Sequence, residues 1–452
     1  MQNPSAIFAA QVPRYTSYPT APHFHSDVGT LAYAGWLESL RPGTPVSLYI
    51  HIPFCDTLCW FCACNTTVVN NYAPVRDYCE TLLKELEQVA SRLGQRYPVM
   101  HIHWGGGSPT LLSEEDMRRI TAAIHSQFDV AANAEIAVEI DPRGFNPSLA
   151  RSLAACGVTR ASIGLQDCSQ KVQRAINRIQ SDEEVEITVN LLRENGIRNI
   201  NLDMVYGLPH QTPEGFEKNL DLVLRLHPDR IAIFGYAHVP HFKKHQALIP
   251  EAALPGMAQR MALARQAAET LCAHGYEAVG IDHFALPHDG LAKAAHNRSL
   301  RRNFQGYTTD ISAALIALGA SAIGRLPQGY VQNAATVPRY RDEVMAGQLP
   351  AVKGHLLTAE DRLRADVIQE IMCFLDTDVG AICIRHGFAP GHLDQAIAGL
   401  GFLAEEGHVV IRGRYIAVNP SQRQAARLAS AAFDAYLAQG HAQNQPRHAP
   451  AA

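Results

Sequence analysis

The stretch "SLYIHIPFCDTLCWFCACN", residues 47–65, joins a β-strand pattern to four closely spaced cysteines. These are Cys55, Cys59, Cys62 and Cys64. Four such thiols could form disulfides, bind zinc or hold an iron–sulfur cluster. Zinc usually takes two separated ligand pairs, whereas the first three cysteines follow a C-x3-C-x2-C spacing and no second pair follows them. Soft thiolates in a loop after a strand favour an iron–sulfur cluster.

The chain has 452 residues, of which 47% are hydrophobic and 18% charged, with a net charge of −4. This composition is typical of globular proteins and excludes the disordered and fibrous classes. The charge balance predicts neither a nucleic-acid nor a membrane partner. The sequence has no apolar run of the roughly 18 residues that span a bilayer and no signal-peptide pattern. We therefore expect a cytoplasmic protein, with its thiols reduced.

Short β-rich runs alternate with helical patterns from residue 47 onward, which predicts an α/β fold with a parallel sheet. Periodicity alone does not distinguish an open sheet from a full or partial barrel. In either fold the active site lies beyond the carboxyl ends of the strands. The six predicted strands cover residues 47–53, 100–106, 135–142, 160–167, 199–209 and 230–240.

The pattern changes after residue 324. Residues 325–340 resemble a connector, and helical patterns at 359–375 and 391–406 precede a hairpin pattern, "HVVIRGRYIAV", and a last helix. The prediction is therefore a smaller, mostly helical C-terminal domain without the basic stripe of a nucleic-acid-binding domain. The predicted divisions are 1–46 (a substrate-site segment), 47–324 (the catalytic domain), 325–440 (the C-terminal domain) and 441–452 (a disordered tail).

Polar residues and glycines follow the other strands at the same predicted edge of the sheet. "GGGSP" follows the second strand, and Glu139, Gln166 and Asp203 lie near the ends of later strands. Glycines let a backbone approach a ligand closely and adopt positive φ. Three thiolates leave one iron of a four-iron cluster free for a small molecule that binds through its amine and carboxylate groups. C-x3-C-x2-C after the first strand is the signature of the radical S-adenosylmethionine (SAM) superfamily.

Ten motifs in order, between about residues 14 and 323, make a more specific resemblance. The chain resembles the oxygen-independent coproporphyrinogen III oxidases, whose fold is a partial (β/α)6 TIM-like radical SAM barrel with a smaller, mostly helical C-terminal domain. The motifs are "RYTSYPTAPHF", "LYIHIPFCDTLCWFCACN", "HWGGGSPT", "VEIDPR", "GLQD", "VQRAINR", "NLDMVYGLPHQTPE", "YAHVP", "DHFA" and "NFQGYTT".

The resemblance implies roles for individual residues. Cys64 is associated with turnover, and Phe304 and Gln305 match a segment linked to activity. Cys55, Cys59 and Cys62 would ligate a [4Fe–4S] cluster. A first SAM molecule would contact Tyr49, Gly106, Glu139 and Ile323. A second would contact Phe61, Gly107, Ser108, Gln166, Arg178, Asp203 and Ala237.

The implied reaction turns two propionates of coproporphyrinogen III into vinyl groups, giving protoporphyrinogen IX. It needs an electron donor and an electron acceptor, and the family suggests a monomer. The substrate carries four carboxylates, so basic residues are expected at its site, with Arg14, Arg301 and Arg302 as candidates.

The sequence departs from the family pattern at Ser108, at Gly235 and in the segment 309–313. The last departure concerns substrate contacts rather than cofactors. Two alternatives remain open from the sequence. One is a heme-binding chaperone of the same fold, although such chaperones lack the thiol at Cys64 and the "RYTSYPT" segment. The other is a different radical SAM enzyme, such as a methyltransferase.

Overall fold

The structure, a computed structural model, describes Phe8 and residues 10–437. The strands in chain order are β1 (Val46–Ile52), β2 (Phe54–Cys55), β3 (Thr67–Val68), β4 (Pro98–Gly106), β5 (Asp129–Ile140), β6 (Arg160–Gln166), β7 (Asn199–Tyr206), β8 (Arg230–Gly235), β9 (Glu277–Val279), β10 (His283–Ala285), β11 (Arg301–Asn303), β12 (Gly306–Thr308), β13 (Ala314–Leu318), β14 (Ile323–Leu326), β15 (Gly329–Asn333), β16 (Ala351–Leu356), β17 (Asp376–Asp378), β18 (Val409–Arg412) and β19 (Tyr415–Val418).

Helices connect most of these strands. In chain order they are α1 (Thr30–Glu38), α2 (Ala73–Leu93), α3 (Glu114–Gln127), α4 (Pro147–Ala155), α5 (Gln170–Ala175), α6 (Asp182–Glu194), α7 (Pro213–Leu226), α8 (Met257–Ala273), α9 (Gly290–His296), α10 (Val337–Met345), α11 (Ala359–Phe374), α12 (Val379–Arg385), α13 (Asp394–Ala398), α14 (Gly401–Glu405) and α15 (Ala425–Ala431).

The main sheet has the order β16-β15-β14-β13-β1-β4-β5-β6-β7-β8-β10-β9, and its strands from β13 to β8 are parallel. All six predicted strands are confirmed, as β1, β4, β5, β6, β7 and β8. The last two end earlier than predicted, at Tyr206 and Gly235. Gly207, directly after β7, has a φ of 85°, which breaks the extended conformation.

The sheet curves into an open, partial barrel. Adjacent strands lie about 4.8 Å apart, so six flat strands would extend well beyond a single small cavity. Nevertheless one cavity of ≈ 190 Å³, named here the inner cavity, receives side chains from all six. They include Ser47 (β1), His103 (β4), Glu139 (β5), Ser162 (β6), Asp203 (β7) and Phe234 (β8). The partial-barrel prediction is therefore confirmed.

The sequence reading missed a seventh parallel strand, β13, beside β1. It lies in the stretch "DISAALIALGASAIG", residues 310–324, and its core positions Ala314, Ile316 and Leu318 are almost completely buried. An apolar run of five residues between loops carries little periodic signal, so the strand was not recognised.

The predicted connector at 325–340 is wrong. Within it β14 ends, β15 forms and α10 begins, and β14, β15 and β16 extend the sheet in antiparallel fashion from β13. A side chain at Gly329 would collide with the carbonyl oxygen of His355 in β16, so only glycine allows this close pairing. The predicted division between residues 324 and 325 falls inside β14, and the division itself stays a prediction.

The C-terminal region forms a second core. The predicted helix at 359–375 is confirmed as α11, and the one at 391–406 is split into α13 and α14. The predicted hairpin is β18–β19, joined by β17. Phe8, Val12, Tyr15 and Tyr18 of the N-terminal segment pack into this core together with α11 and α15. The predicted tail, 441–452, lies outside the described residues. No helix of the described chain is long and apolar enough to cross a membrane.

Candidate active site

The cysteine loop follows β1 and meets two arginines, Arg143 in the loop after β5 and Arg178 in the loop after α5. The Nη2 atom of Arg143 lies 3.7 Å from the sulfur of Cys59, and the Nη1 atom of Arg178 lies 3.6 Å from it. Asp141 accepts hydrogen bonds from both guanidinium groups, at 2.5 and 3.0 Å. Burial alone raises the pKa of Asp141, but the two arginines outweigh it and lower that pKa. The site therefore keeps two fixed cations beside a loop of thiols.

A second loop, 239–250, holds the cysteine loop from the other side. Lys243 donates to the carbonyl oxygen of Cys64 at 2.8 Å, and the Nε2 atom of His245 lies 2.7 Å from the carbonyl oxygen of Cys62. The fully buried Gln246 donates to the carbonyl oxygen of Phe61 at 3.0 Å. These three contacts fix the backbone that carries the thiols.

Cys62 and Cys64 behave as a pair. The hydrogen bond between the two thiols lowers the pKa of Cys62 to about 7 despite burial, and the same bond raises the pKa of Cys64. Cys62 is thus the more readily ionised thiol, and the thiolate is the form that binds iron. Cys64 is exposed to solvent.

The glycine run is required by the protein's own packing. A side chain at Gly105 would lie 2.7 Å from the carboxylate of Glu139, and one at Gly107 would lie 2.3 Å from the carbonyl oxygen of Phe54. Gly106 has a φ of 118° and donates its N–H to Glu139 at 3.1 Å. The glycines therefore bring β2, β4 and Glu139 together, besides any space they leave for a ligand.

Glu139 is held in its charged form. Its carboxylate faces His103 at 3.1 Å as well as the N–H of Gly106. Burial raises its pKa, but the hydrogen bonds from His103 and Gly106 more than offset this, so the net pKa is lowered. An ionised carboxylate at this edge of the barrel can pair with an ammonium group or accept hydrogen bonds from hydroxyls.

Asp203 lies deeper, on the wall of the inner cavity. Ser162 and Asn201 each donate a hydrogen bond to its carboxylate at 2.8 Å. Burial nevertheless raises the pKa of Asp203. Gln166, at the end of β6, has a φ of 62°, an uncommon conformation for a residue with a side chain.

The other residues predicted to contact SAM are divided between several places. Tyr49 donates to or accepts from His51 at 2.9 Å, with its ring near His103. Ser108 is buried beside Phe54, and its N–H donates to the carbonyl oxygen of Phe54. Phe61 packs against a small apolar cluster, and Ala237 follows β8. Arg178, as described above, faces Cys59.

Ile323 and Phe304 line a second cavity of ≈ 290 Å³, named here the outer cavity. Its walls come from residues 15–18, the β11–β12 hairpin, β14 and α11. Gln305 instead lines the inner cavity. The two cavities share the lining residues Asn303, Thr308, Asp310 and Leu315, so they are neighbours across the hairpin.

The outer cavity is rich in arginine. Arg301, Arg302 and Arg325 line it. The side chain of Arg302 is only 5% exposed, and its Nε and Nη1 atoms have no hydrogen-bond partner among residues 10–437. The charge is balanced in part by Asp282, 3.9 Å away, and by the ring of Tyr307 under the guanidinium, but the two unbonded N–H groups can still bind an anion. Arg14, the third sequence candidate, is exposed and donates to the carbonyl oxygen of Gly235.

Sequence reasoning missed several of these residues. Asp141 and Arg143 stand in the quoted motif "VEIDPR", directly after Glu139, and could have been found there. His103 alternates with His101 along β4, a period-two signal that places both on one face. Lys243, His245 and Gln246 lie in a loop with no periodicity, so no local signal identifies them.

The donor set fits an iron–sulfur cluster. Cys55, Cys59 and Cys62 are unpaired by disulfides, stand on one loop and have two guanidinium groups beside them. Such positive groups favour the net negative charge of a thiolate-bound cluster. The ionised Glu139 and the inner cavity next to this loop suit a ligand with ammonium and hydroxyl groups.

Comparisons with known proteins agree with this geometry. A family described as the radical SAM superfamily matches residues 49–223. The oxygen-independent coproporphyrinogen III oxidase of Bradyrhizobium diazoefficiens is 46% identical, over 95% of this chain and 96% of its own. That of Pseudomonas aeruginosa is 37% identical, over 94% and 93%. The solved coproporphyrinogen III oxidase of Escherichia coli, described as a radical SAM enzyme, has a TM-score of 0.89 and 36% identity, covering 94% of this chain and 100% of its own.

Proposed function

Because the chain belongs to the oxygen-independent coproporphyrinogen III oxidases of the radical SAM superfamily, we propose that it converts coproporphyrinogen III to protoporphyrinogen IX in heme biosynthesis. Two propionate side chains lose CO2 and become vinyl groups. The observation that carries this proposal is identity to enzymes of this name over nearly the whole chain. The arginine-lined outer cavity beside the barrel is consistent with a substrate that has four carboxylates.

The cofactors are a [4Fe–4S] cluster and SAM. When bound and reduced, they supply a 5′-deoxyadenosyl radical that removes a hydrogen atom from an unactivated propionate carbon. Cys55, Cys59 and Cys62 would hold the cluster, with Arg143 and Arg178 balancing its charge. The loop 239–250 would keep the three thiols in position through its contacts with the backbone of the cysteine loop.

Two SAM molecules would bind, as the family resemblance implies. The residues assigned to the first are Tyr49, Gly106, Glu139 and Ile323, and those assigned to the second are Phe61, Gly107, Ser108, Gln166, Arg178, Asp203 and Ala237. Glu139 lines the inner cavity and Ile323 the outer one. The first SAM would therefore lie where the two cavities meet, next to an incoming propionate.

The substrate's carboxylates would bind in the outer cavity. Arg302 offers N–H groups at Nε and Nη1 that have no hydrogen-bond partner among the described residues, and Arg301 and the exposed Arg325 line the same cavity. Phe304 contacts the ring of Tyr330 edge-on, and Gln305 reaches the inner cavity. These two adjacent residues would position the substrate on both sides of the hairpin. Cys64, exposed to solvent, would take part in turnover without binding iron.

The reaction needs a one-electron donor and an electron acceptor. We further infer that the enzyme is a cytoplasmic monomer, with no nucleic-acid partner. The N-terminal segment 1–46 would serve the substrate site, which is supported by residues 15–18 in the outer cavity wall. The barrel unit, predicted as 47–324, would extend to Leu356, because β14–β16 belong to the same sheet.

The test is anaerobic reconstitution of the cluster, followed by SAM, a chemical reductant and coproporphyrinogen III, with products followed by mass spectrometry. We expect a tetrapyrrole that has lost two carboxyl groups. Cys59→Ser should abolish this product, and Cys272→Ser, at an exposed cysteine far from the loop, should not. Retained heme without decarboxylation would instead support the chaperone alternative, and a methylated product would support a methyltransferase.

A further inference from the structure

His283 is fixed at the wall of the inner cavity. Its Nδ1 atom lies 2.7 Å from the carboxylate of Asp282, and its ring meets the edges of Phe234 and Tyr307 at centroid distances of 5.6 and 5.1 Å. The side chain is only 8% exposed, so the ring has little freedom to turn. Asp282 and His283 belong to the motif "DHFA", which has no assigned role.

The tautomer of His283 follows from its neighbour. Asp282 is 3.9 Å from Arg302, and that cation together with the bond from His283 lowers the pKa of Asp282 despite its burial. An ionised Asp282 can only accept, so Nδ1 of His283 carries the hydrogen, and in the neutral imidazole Nε2 is the acceptor. Within the described chain Nε2 has no hydrogen-bond partner. Nε2 is therefore an acceptor that is free to bind a donor in the inner cavity.

A second acceptor in the same cavity also lacks a partner. Asn201 is 8% exposed, and its Oδ1 atom makes no hydrogen bond to any described residue. It lines the inner cavity with His283 and Asp203. This part of the inner cavity therefore presents hydrogen-bond acceptors that have no donor. Arg302, on the other side of Asp282, presents N–H donors that can bind an anion.

The proposed substrate carries groups that are complementary to both sites. Its periphery carries carboxylates, and its centre carries four pyrrole N–H donors. We propose that Nε2 of His283 accepts a hydrogen bond from a pyrrole N–H of the porphyrinogen while Arg302 binds one of its carboxylates. The inference rests on the proposed function and adds a substrate-binding residue to it.

The contact would also assist the reaction. Loss of a hydrogen atom leaves an unpaired electron on the propionate carbon next to the pyrrole. A one-electron acceptor removes that electron, the bond to the carboxyl group breaks, its electron pair forms the vinyl double bond, and CO2 leaves. Positive charge spreads onto the pyrrole during electron loss, and its N–H becomes a stronger donor. A fixed imidazole backed by a carboxylate stabilises that charge, and the proton stays on the pyrrole.

The test compares His283→Leu with His288→Leu. His288 also pairs with an aspartate, Asp229 at 3.2 Å, but its side chain is 67% exposed on the outer surface. Binding of coproporphyrinogen III to the cluster-loaded protein without SAM is measured by fluorescence quenching. We expect the dissociation constant to rise about tenfold for His283→Leu, the value of one buried hydrogen bond. His288→Leu should bind like the wild type.

The second measurement is the ratio of 5′-deoxyadenosine to CO2 during turnover. His283→Leu should raise this ratio above that of the wild type, because electron loss is impaired after hydrogen abstraction. His283→Gln, which keeps an acceptor oxygen, should partly restore both binding and the ratio. Unchanged binding and an unchanged ratio in His283→Leu would overturn the inference.

A change in the ligand covers the case in which His283→Leu does not fold. An N-methylated coproporphyrinogen III lacks one donor and should bind less tightly to the wild type, and Asp282→Asn should reduce this discrimination. Equal binding of both ligands by the wild type would overturn the inference. A wild-type protein that releases no CO2 from coproporphyrinogen III would instead refute the proposed function itself, so the two failures are distinguishable.

Discussion

The two cavities of the candidate active site are built in different ways. The inner cavity is lined mainly by consecutive strands of one sheet, with the β11–β12 hairpin beside them, and its ion pairs include those of Arg160 and Arg230 with Glu135 and Asp289. The outer cavity is assembled from several separate segments, including residues 15–18 and α11, which are about 350 positions apart in the sequence. The proposed cofactor site is thus supported by the sheet itself, whereas the proposed site for the substrate's carboxylates depends on long-range packing of the N-terminal segment against the C-terminal core.

The largest effect should come from the cofactor side. Cys59→Ala removes the one buried thiol of the loop, the one that both Arg143 and Arg178 face. We expect loss of bound iron and of all detectable turnover, because thiolates are the cluster's ligands. Iron content and visible absorbance measure this. The comparison predicts that the variant still binds coproporphyrinogen III, and failure to bind it would show that the two cavities are not independent.

The second largest effect concerns Glu85, a buried carboxylate on the helix α2. Glu85 on α2 is fully buried and accepts hydrogen bonds from the N–H of Gly319, Asn333 and Tyr340. Burial raises its pKa from 4.5 to about 7, although these bonds oppose the shift. The unfolded chain therefore loses this proton at lower pH than the folded chain does. The free energy of unfolding should fall as pH rises from about 4.5 to 7, by about 3 kcal/mol from this group.

Glu85→Gln should remove that part of the pH dependence, as measured by denaturant unfolding at a series of pH values. Glu87→Gln is the matched control, since Glu87 lies on the same helix and is exposed. If both variants kept the wild-type slope between these pH values, Glu85 would not be the group responsible.

The third effect should fall on the substrate side. Arg302→Gln removes a buried cation from the outer cavity, and a hydrogen bond to a charged group contributes about 1.5–3 kcal/mol. The KM for coproporphyrinogen III should therefore rise by about 10- to 100-fold, with iron content unchanged. Arg92→Gln, at an exposed ion pair with Glu38, serves as the control. An Arg302 variant with wild-type KM would place the carboxylates elsewhere.

The smallest effect concerns the docking of the N-terminal segment. The buried hydroxyl of Tyr15 donates to Asp434 at 3.1 Å. Tyr15→Phe should lower the stability of this contact by about 1 kcal/mol, which calorimetry would register as a lower melting temperature. Tyr415→Phe, at an exposed tyrosine of the C-terminal hairpin, should leave it unchanged. Equal melting temperatures for the two variants would mean that this hydrogen bond does not hold the segment.

The difference between a cavity lined by one sheet and a cavity assembled from distant segments also explains what the sequence could predict. The strands of the barrel follow from alternation and motif order, so Glu139 could be placed near the carboxyl end of β5 before the structure was known. Asp203, predicted near a strand end, lies instead within β7 on the wall of the inner cavity. The contacts of Gln246 with Phe61 and of Tyr15 with Asp434 join segments that are far apart in the chain. No local pattern encodes such pairs, because they depend on how the finished elements pack.

Strand β13 and the wrongly predicted connector show where local sequence patterns are too short to predict a strand. "ALIAL" and "GYVQN" are too short for a period to be read, and only the neighbouring strands give them their conformation. The altered segment 309–313 now has a location, between the two cavities on the outer wall, which follows from the shared lining residue Asp310. Its effect on the substrate stays a prediction.

The most direct measurement uses coproporphyrinogen III with deuterium at the propionate carbons next to the pyrroles. The reconstituted enzyme is given SAM and a reductant, and 5′-deoxyadenosine and CO2 are quantified together. Hydrogen abstraction at the junction of the cavities predicts deuterium in the 5′-deoxyadenosine and one CO2 for each molecule of it. Deuterium-free 5′-deoxyadenosine, or intact carboxyl groups on the tetrapyrrole, would contradict the proposed reaction.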